Sequence, residues 1–184
     1  LKKNNSNFII EGDNLDLSNL INNIMDSDDE NSSIFKNLNS RIDIDIKKTY
    51  IDEINHLNNL SGYIILKDNK IDNLILDADF PNNKKISFTV ITNDVNETTT
   101  SLITDYPKPL IKRYKFIKGF EEGNLNFKSI KKDGASNSVL IIDDFKVQEV
   151  PIFAKLLSLA SLQGIADILT GEGIRFTDLE MRFS

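Results

Sequence analysis

From Arg41 onward the chain repeats with a period of two, and that period limits the folds open to it more than any other feature. Arg41–Lys47 (RIDIDIK) alternates cleanly, with Ile42, Ile44 and Ile46 on one side and charged residues on the other. Alternation of this kind suits a β-strand with one covered face and one wetted face. Leu57–Leu66 and Ile71–Phe80 flank Lys67-Asp68-Asn69-Lys70 and predict a hairpin. In its second arm Leu74, Leu76, Ala78 and Phe80 face one way. Pro81-Asn82-Asn83-Lys84 turns the chain, after which Ile86, Phe88 and Val90 alternate with Lys85, Ser87 and Thr89. Asn93–Asn96 is a further turn, followed by a weaker strand over Glu97–Thr104. Asn124–Ile130 alternates again, with Leu125 and Phe127 on one side. Glu121-Glu122-Gly123 reads as a turn before it and Lys131–Ser138 as a glycine-containing loop after it. Val139–Val147 and Ile174–Phe183 are the last two strands, so an antiparallel meander is the simplest arrangement.

Three segments depart from this rhythm. Asn7–Gly12 reads as a short strand, and Asp16–Met25 then carries Leu17, Leu20, Ile21 and Ile24 at helical spacing, with Asp13 or Asp16 as a cap. Asp105–Lys118 holds Pro107 and Pro109, which exclude a central strand, and Leu110–Phe116 fits one or two helical turns. The longest apolar segment runs from Phe145 to Phe176. Within it a helix over about residues 151–170 is expected: Pro151 suits a first turn, and Gly171 and Gly173 suit a C-cap. Its residues Phe153, Leu156, Leu157, Leu162, Ile165, Ile168 and Leu169 cover most of the helix circumference. A helix so patterned must be buried on several sides or touch something apolar. Gly164 marks a kink or close contact. The uncharged part, Leu156–Ala166, is much shorter than the roughly 20 residues of a membrane span.

Composition excludes several functions. A net charge of −6 argues against nucleic acid, which demands clustered Lys and Arg. Cysteine is absent, so no disulfide or thiolate metal site can form. Without an initiator Met or a leader-like segment at Leu1, the sequence reads as a single segment, residues 1–184, of a longer chain.

Candidate chemistry is sparse. His56 is the only histidine and has no Glu or His at metal-ligand spacing, so a surface or turn role is the better reading. Asp26–Asn37 lacks the Gly and the bidentate Glu of a calcium loop, having Asn31 and Asn37 in those places. Asp143 and Asp144 are adjacent in a strand and point to opposite faces, which rules out a catalytic pair. Glu172, between two glycines, reads as a capping or solvated acid. Lys108, Lys112, Arg113, Lys115 and Lys118, interleaved with Tyr106, Tyr114 and Phe116, make one local basic patch. It suits anionic lipid headgroups or a solvated helical turn. Catalytic residues, metal ligands and cofactor motifs are not expected.

The segment from Phe145 to Phe176 resembles the C-terminal signature of the AsmA-like envelope proteins, in their large YhdP-type branch. Pro151, Ala154, Leu156, Leu157, Ser158, Ser161, Leu162, Gly164, Ile165, Asp167, Leu169, Gly171, Gly173, Ile174 and Phe176 fall on it. Gly12–Leu17, Thr104-Asp105 and Phe120–Leu125 resemble upstream pieces of the same pattern, with Tyr106-Pro107 and Glu121-Glu122 departing from it. The resemblance implies a mainly β fold with some α: a long, curved antiparallel β-meander forming a groove, with a short N-terminal helix and an apolar C-terminal helix. It further implies a non-enzymatic module that conducts phospholipid between the inner and outer membranes. The protein would face the periplasm, anchored in the inner membrane through a segment not present here. Phospholipid acyl chains would line up along Ile42, Ile44, Ile46, Leu74, Leu76, Phe80, Ile86, Phe88, Val90, Leu125 and Phe127. The helix from Pro151 would close or gate the groove. The alternative is a structural module that docks an envelope protein through that helix.

Overall fold

The computed structural model describes residues 6–18, 39–68, 70–114, 119–148 and 173–184. They form one nine-stranded sheet in sequential order: β1 (Ser6–Asp16), β2 (Ser40–Tyr50), β3 (His56–Lys67), β4 (Lys70–Asp79), β5 (Lys85–Thr92), β6 (Thr98–Thr104), β7 (Phe120–Lys132), β8 (Ala135–Val147) and β9 (Ile174–Phe183). One helix, α1 (Lys108–Tyr114), packs against β7.

The expected fold class needs correction on three counts. The chain is close to all-β: the seven-residue α1 is the only helical element of that length among the described residues. The expected start of the N-terminal helix is strand instead, because β1 continues to Asp16. There the Asp16 carboxylate accepts the Ser18 backbone N–H at 2.9 Å, a local cap at a strand end. The remainder of that helix, and all of the helix expected over 151–170, lie outside the described residues. Finally, the sheet is not a pure meander, since β1 runs parallel to β2 while the other neighbours are antiparallel. Parallel neighbours need a long return connection, and the chain between Asp16 and Ser40 is long enough to supply one.

The turns follow from residues that tolerate the left-handed region. Asp68 (φ 49°), Asn83 (φ 60°) and Asn96 (φ 57°) each sit between antiparallel strands. Asn93 adds a side-chain clasp, its amide oxygen accepting the N–H groups of Val95 and Glu97 at 3.1 and 3.0 Å. Between β7 and β8 the structure tightens the expected loop. Lys132 pairs with Ala135, leaving Asp133 and Gly134 (φ 50° and 84°) as a two-residue turn. Two consecutive positive φ angles give the primed turn whose twist matches its strands, and Asp-Gly favours it.

Glu121-Glu122-Gly123 is also corrected: these residues lie inside β7 rather than in a turn. Glu122 and Gly123 have φ 63° and 84°, and Asp144 opposite them in β8 has φ 52°. The kink resets which way side chains point. Ile142 and Phe145 are three residues apart and would face opposite sides of a regular strand. Both nonetheless belong to one buried cluster with Ile111, Phe120, Leu125, Val147 and Ile174. Phe120, Phe145 and Phe176 stack across β7, β8 and β9, with centroids 5.4 and 5.3 Å apart and ring planes within 18°. Offset aromatic pairs of this kind add about 0.5–1.5 kcal/mol each beyond area burial. A second cluster, Ile46, Leu57, Leu60, Ala78 and Phe80, fills the β2–β4 side, where Tyr106 meets the edge of Phe80 at 5.1 Å.

The same kink gathers charge. Glu122 accepts from Lys146 at 3.0 Å and from Arg175 at 2.7 Å, and Arg175 also holds Asp144. The hydrogen bond from Lys146, more than that from Arg175, holds the Glu122 carboxyl below its ordinary value. A depressed carboxyl stabilises the fold above the unfolded-state pKa and loses that contribution as pH falls through the folded-state pKa. Glu122→Gln should therefore lower the unfolding midpoint at neutral pH, with the gap to wild type closing as pH falls through the carboxylate range. Salt should shrink the gap too, because the pair is half exposed. An acid titration of thermal midpoints for both proteins checks this, and a gap that widens in acid would refute it.

The apolar face as candidate functional site

Residues directly opposite in neighbouring strands share a face, so register alone sorts the side chains. Ile44, Gly62, Leu76, Phe88, Leu102, Phe127, Leu140 and Met181 follow one another across β2 to β9, with Ile10 of β1 beside Ile44. One step along the strands, Phe8, Ile42, Ile64, Leu74 and Val90 make a second apolar row on the same face. It turns polar beyond β5 at Thr100, Ser129 and Ser138. On the other side of the central row lie Ile46, Leu60, Ile86, Thr104, Leu125, Ile142 and Leu179. The reverse face carries Asp43, Tyr63, Ile75, Thr89, Ser101 and Lys128 in its corresponding row.

The expected lining residues therefore lie together, with one qualification. Ile42, Ile44, Ile46, Leu74, Leu76, Ile86, Phe88, Val90, Leu125 and Phe127 occupy these three rows. Phe80 follows the end of β4 and turns into the second buried cluster. Their exposure is uneven. Ile42, Ile46, Leu74, Phe80 and Leu125 are buried, whereas Ile44, Leu76, Ile86, Phe88, Val90 and Phe127 are half-buried. Phe88 and Val90, on the central strand β5, belong to neither cluster. Leu102, Leu140 and Met181 were not anticipated as part of this surface. The threonine-rich β6 (TTTSLIT) hides Leu102, although its alternation with Thr100 and Thr104 carries the signal.

The other candidates dissolve into structure. His56 opens β3 with its ring 5.9 Å from that of Tyr50. Lys108, from the basic patch, donates to both carboxylate oxygens of Glu121 at 2.6 Å, tying α1 to β7. The side chains from Lys112 to Lys118 lie outside the described residues, as do the Asp26–Asn37 stretch, Glu172 and the gating positions Pro151–Leu169. Asp143 and Asp144 are both exposed, and they do not alternate as in a regular strand, since Ile142 and Phe145 on either side share one buried cluster; Asp144 is held by Arg175. Among the described residues no group of three His, Asp or Glu side chains could hold a metal ion. No described helix is long and apolar enough to cross a membrane.

A cleft of about 500 Å³ opens on the reverse face, around Ser61, Asp77, Ser87 and Ile103. Two of its acids have partners: Asp79 accepts from the Asn59 amide at 3.4 Å, and Asp105 from the Lys85 backbone N–H. Its acidic lining does not suit an acyl chain.

No family model, curated protein or solved structure matches the chain. The likeness to AsmA-like proteins is carried by the residues quoted above alone.

Proposed function

We propose that the chain is a non-enzymatic lipid-handling module that guides phospholipid acyl chains along the apolar face of its sheet. The supporting observation is the central row, which stays apolar from Ile10 to Met181 except at Gly62. Nine strands about 4.8 Å apart make that row about 38 Å long, against about 30 Å for the hydrocarbon core of a bilayer. Acyl chains need no directional partner; each Å² of apolar surface removed from water contributes about 25 cal/mol. The AsmA-like motifs support an envelope protein facing the periplasm, anchored through sequence outside this chain.

The test uses photo-reactive amino acids in cells that make the protein. Probes at Leu76 and Phe88 should capture phospholipid, and probes at Asp77 and Thr89 on the reverse face should not. Capture by the reverse face alone overturns the reading. One observation favours a purely structural role: Ile46, Phe80 and Ile142 are at most 2% exposed, so both ends of the surface are already packed. Phe88→Asp separates the two. On the lipid reading it abolishes capture while the protein remains folded, because Phe88 lies between the packed clusters. On the structural reading there is no capture to lose in the wild type.

A further inference from the structure

β1 is an edge strand, and its outer side has no partner strand among the described residues. Its backbone N–H and C=O groups on that side form a template for another strand. Native edges are usually blunted by charge, proline or bulges. The opposite edge obeys this rule: β9 carries Arg175, Asp178, Glu180 and Arg182. The first half of β1 does not, because Asn7–Ile10 holds no charge, proline or glycine. Phe8, Ile9 and Ile10 are exposed by 46, 68 and 44%. Phe8 and Ile10 lie on the apolar face with Ile42 and Ile44, while Ile9 lies on the reverse face with Asp43. An incoming strand would therefore cover apolar side chains on both faces.

We infer that this edge pairs with the same edge of a second copy, antiparallel about a two-fold axis through Ile9. The sequence of β1 selects both partner and register. With Ile9 opposite Ile9 of the second copy, Phe8 faces Ile10 and Ile10 faces Phe8, so all three apolar residues meet apolar ones. Glu11 then faces Asn7 of the other copy. Glu11, Asp13 and Asp16 all follow the apolar triplet. Antiparallel pairing carries the two acidic ends apart, whereas parallel pairing would set Glu11 against Glu11. Shifting by two residues in one direction brings Ile9 against Glu11, and in the other against Asn7. The matched register is thus the one that buries the triplet without opposing like charges, which destabilise when directly opposite. The two-fold stands perpendicular to the sheet and keeps the apolar faces of both copies on one side. The pairing is independent of lipid handling.

The test uses the full chain. Because it contains no cysteine, Ile9→Cys introduces a single thiol. Directly opposed strand residues lie within disulfide reach, so mild oxidation should yield a covalent dimer. Arg182→Cys, on the β9 strand, should give little. Sedimentation of the wild type should show a monomer–dimer equilibrium. Ile9→Lys, which sets two ammonium groups face to face at an exposed position, should raise the dissociation constant about a hundredfold. A wild type that sediments as monomer throughout its soluble range overturns the inference. So does an Ile9→Lys protein that dimerises normally, or equal cross-linking at Ile9 and Arg182.

Discussion

Replacing Gly62 with alanine is expected to cost about 3–5 kcal/mol of stability, combining a strained backbone with a steric overlap. Gly62 lies in β3 at φ 146°, a region that side-chain-bearing residues rarely adopt. A Cβ built there would stand 1.9 Å from the Ile75 carbonyl oxygen and 2.8 Å from its carbon. These are backbone atoms of β4, so no rotamer change relieves the contact. The β3–β4 ladder would have to open next to its existing irregularity between Asn58 and Ser61. In a chain of this size such a loss should lower the thermal midpoint by roughly 10 °C. Urea titration should show an earlier midpoint with an unchanged slope. A Gly62→Ala protein as stable as wild type would mean that the close approach of β4 to β3 is wrong.

Phe145→Ala should cost about 3–5 kcal/mol as well, through a different mechanism. Phe145 is 4% exposed and is the middle ring of the three that stack across β7, β8 and β9. Truncation removes both ring contacts and leaves a cavity between Phe120 and Phe176. The surroundings cannot collapse freely, because the Gly123 backbone already lies against Phe145: a Cβ at Gly123 would fall 2.9 Å from the Phe145 Cβ. Phe145→Leu keeps much of the volume and should lose less than half as much. Equilibrium unfolding of both variants decides the point. Equal losses for Leu and Ala would show that the stack, rather than filled volume, carries the energy.

Strand positions were largely legible in the sequence because alternation is a local property. Ile42, Ile44 and Ile46, or Phe88 and Val90, declare their face within a few residues of chain. The β3–β4 turn at Lys67–Lys70 and the β4–β5 turn at Pro81–Lys84 were equally plain, since Asp and Asn carry the backbone preference themselves. Where alternation slips, local reading fails. Glu121-Glu122-Gly123 looks like a turn because glycine after two acids breaks the pattern. In the sheet those residues remain paired, and the break re-aims Phe120 and Phe145 into the core. The Lys131–Ser138 loop was overestimated for the opposite reason: Asp133-Gly134 is a complete turn, and polar Ser136 and Ser138 obscured the strand around it. The helical spacing of Leu17 and Leu20 drew the start of a helix back to Asp16, whereas strand pairing with Tyr50 holds that residue in β1.

By itself, then, the amino-acid order determined which residues alternate, where most hairpins turn and which side chains are apolar, because each depends on neighbours a few positions away. Only the tertiary structure decided the direction of β1 against β2, the re-phasing at Glu122 and Asp144, and the merging of short apolar sets into one row from β1 to β9. Those depend on pairing between strands far apart in the chain. A period of two is the same whether a strand's neighbour runs up or down, and whether the next apolar residue lies across the sheet or on another face.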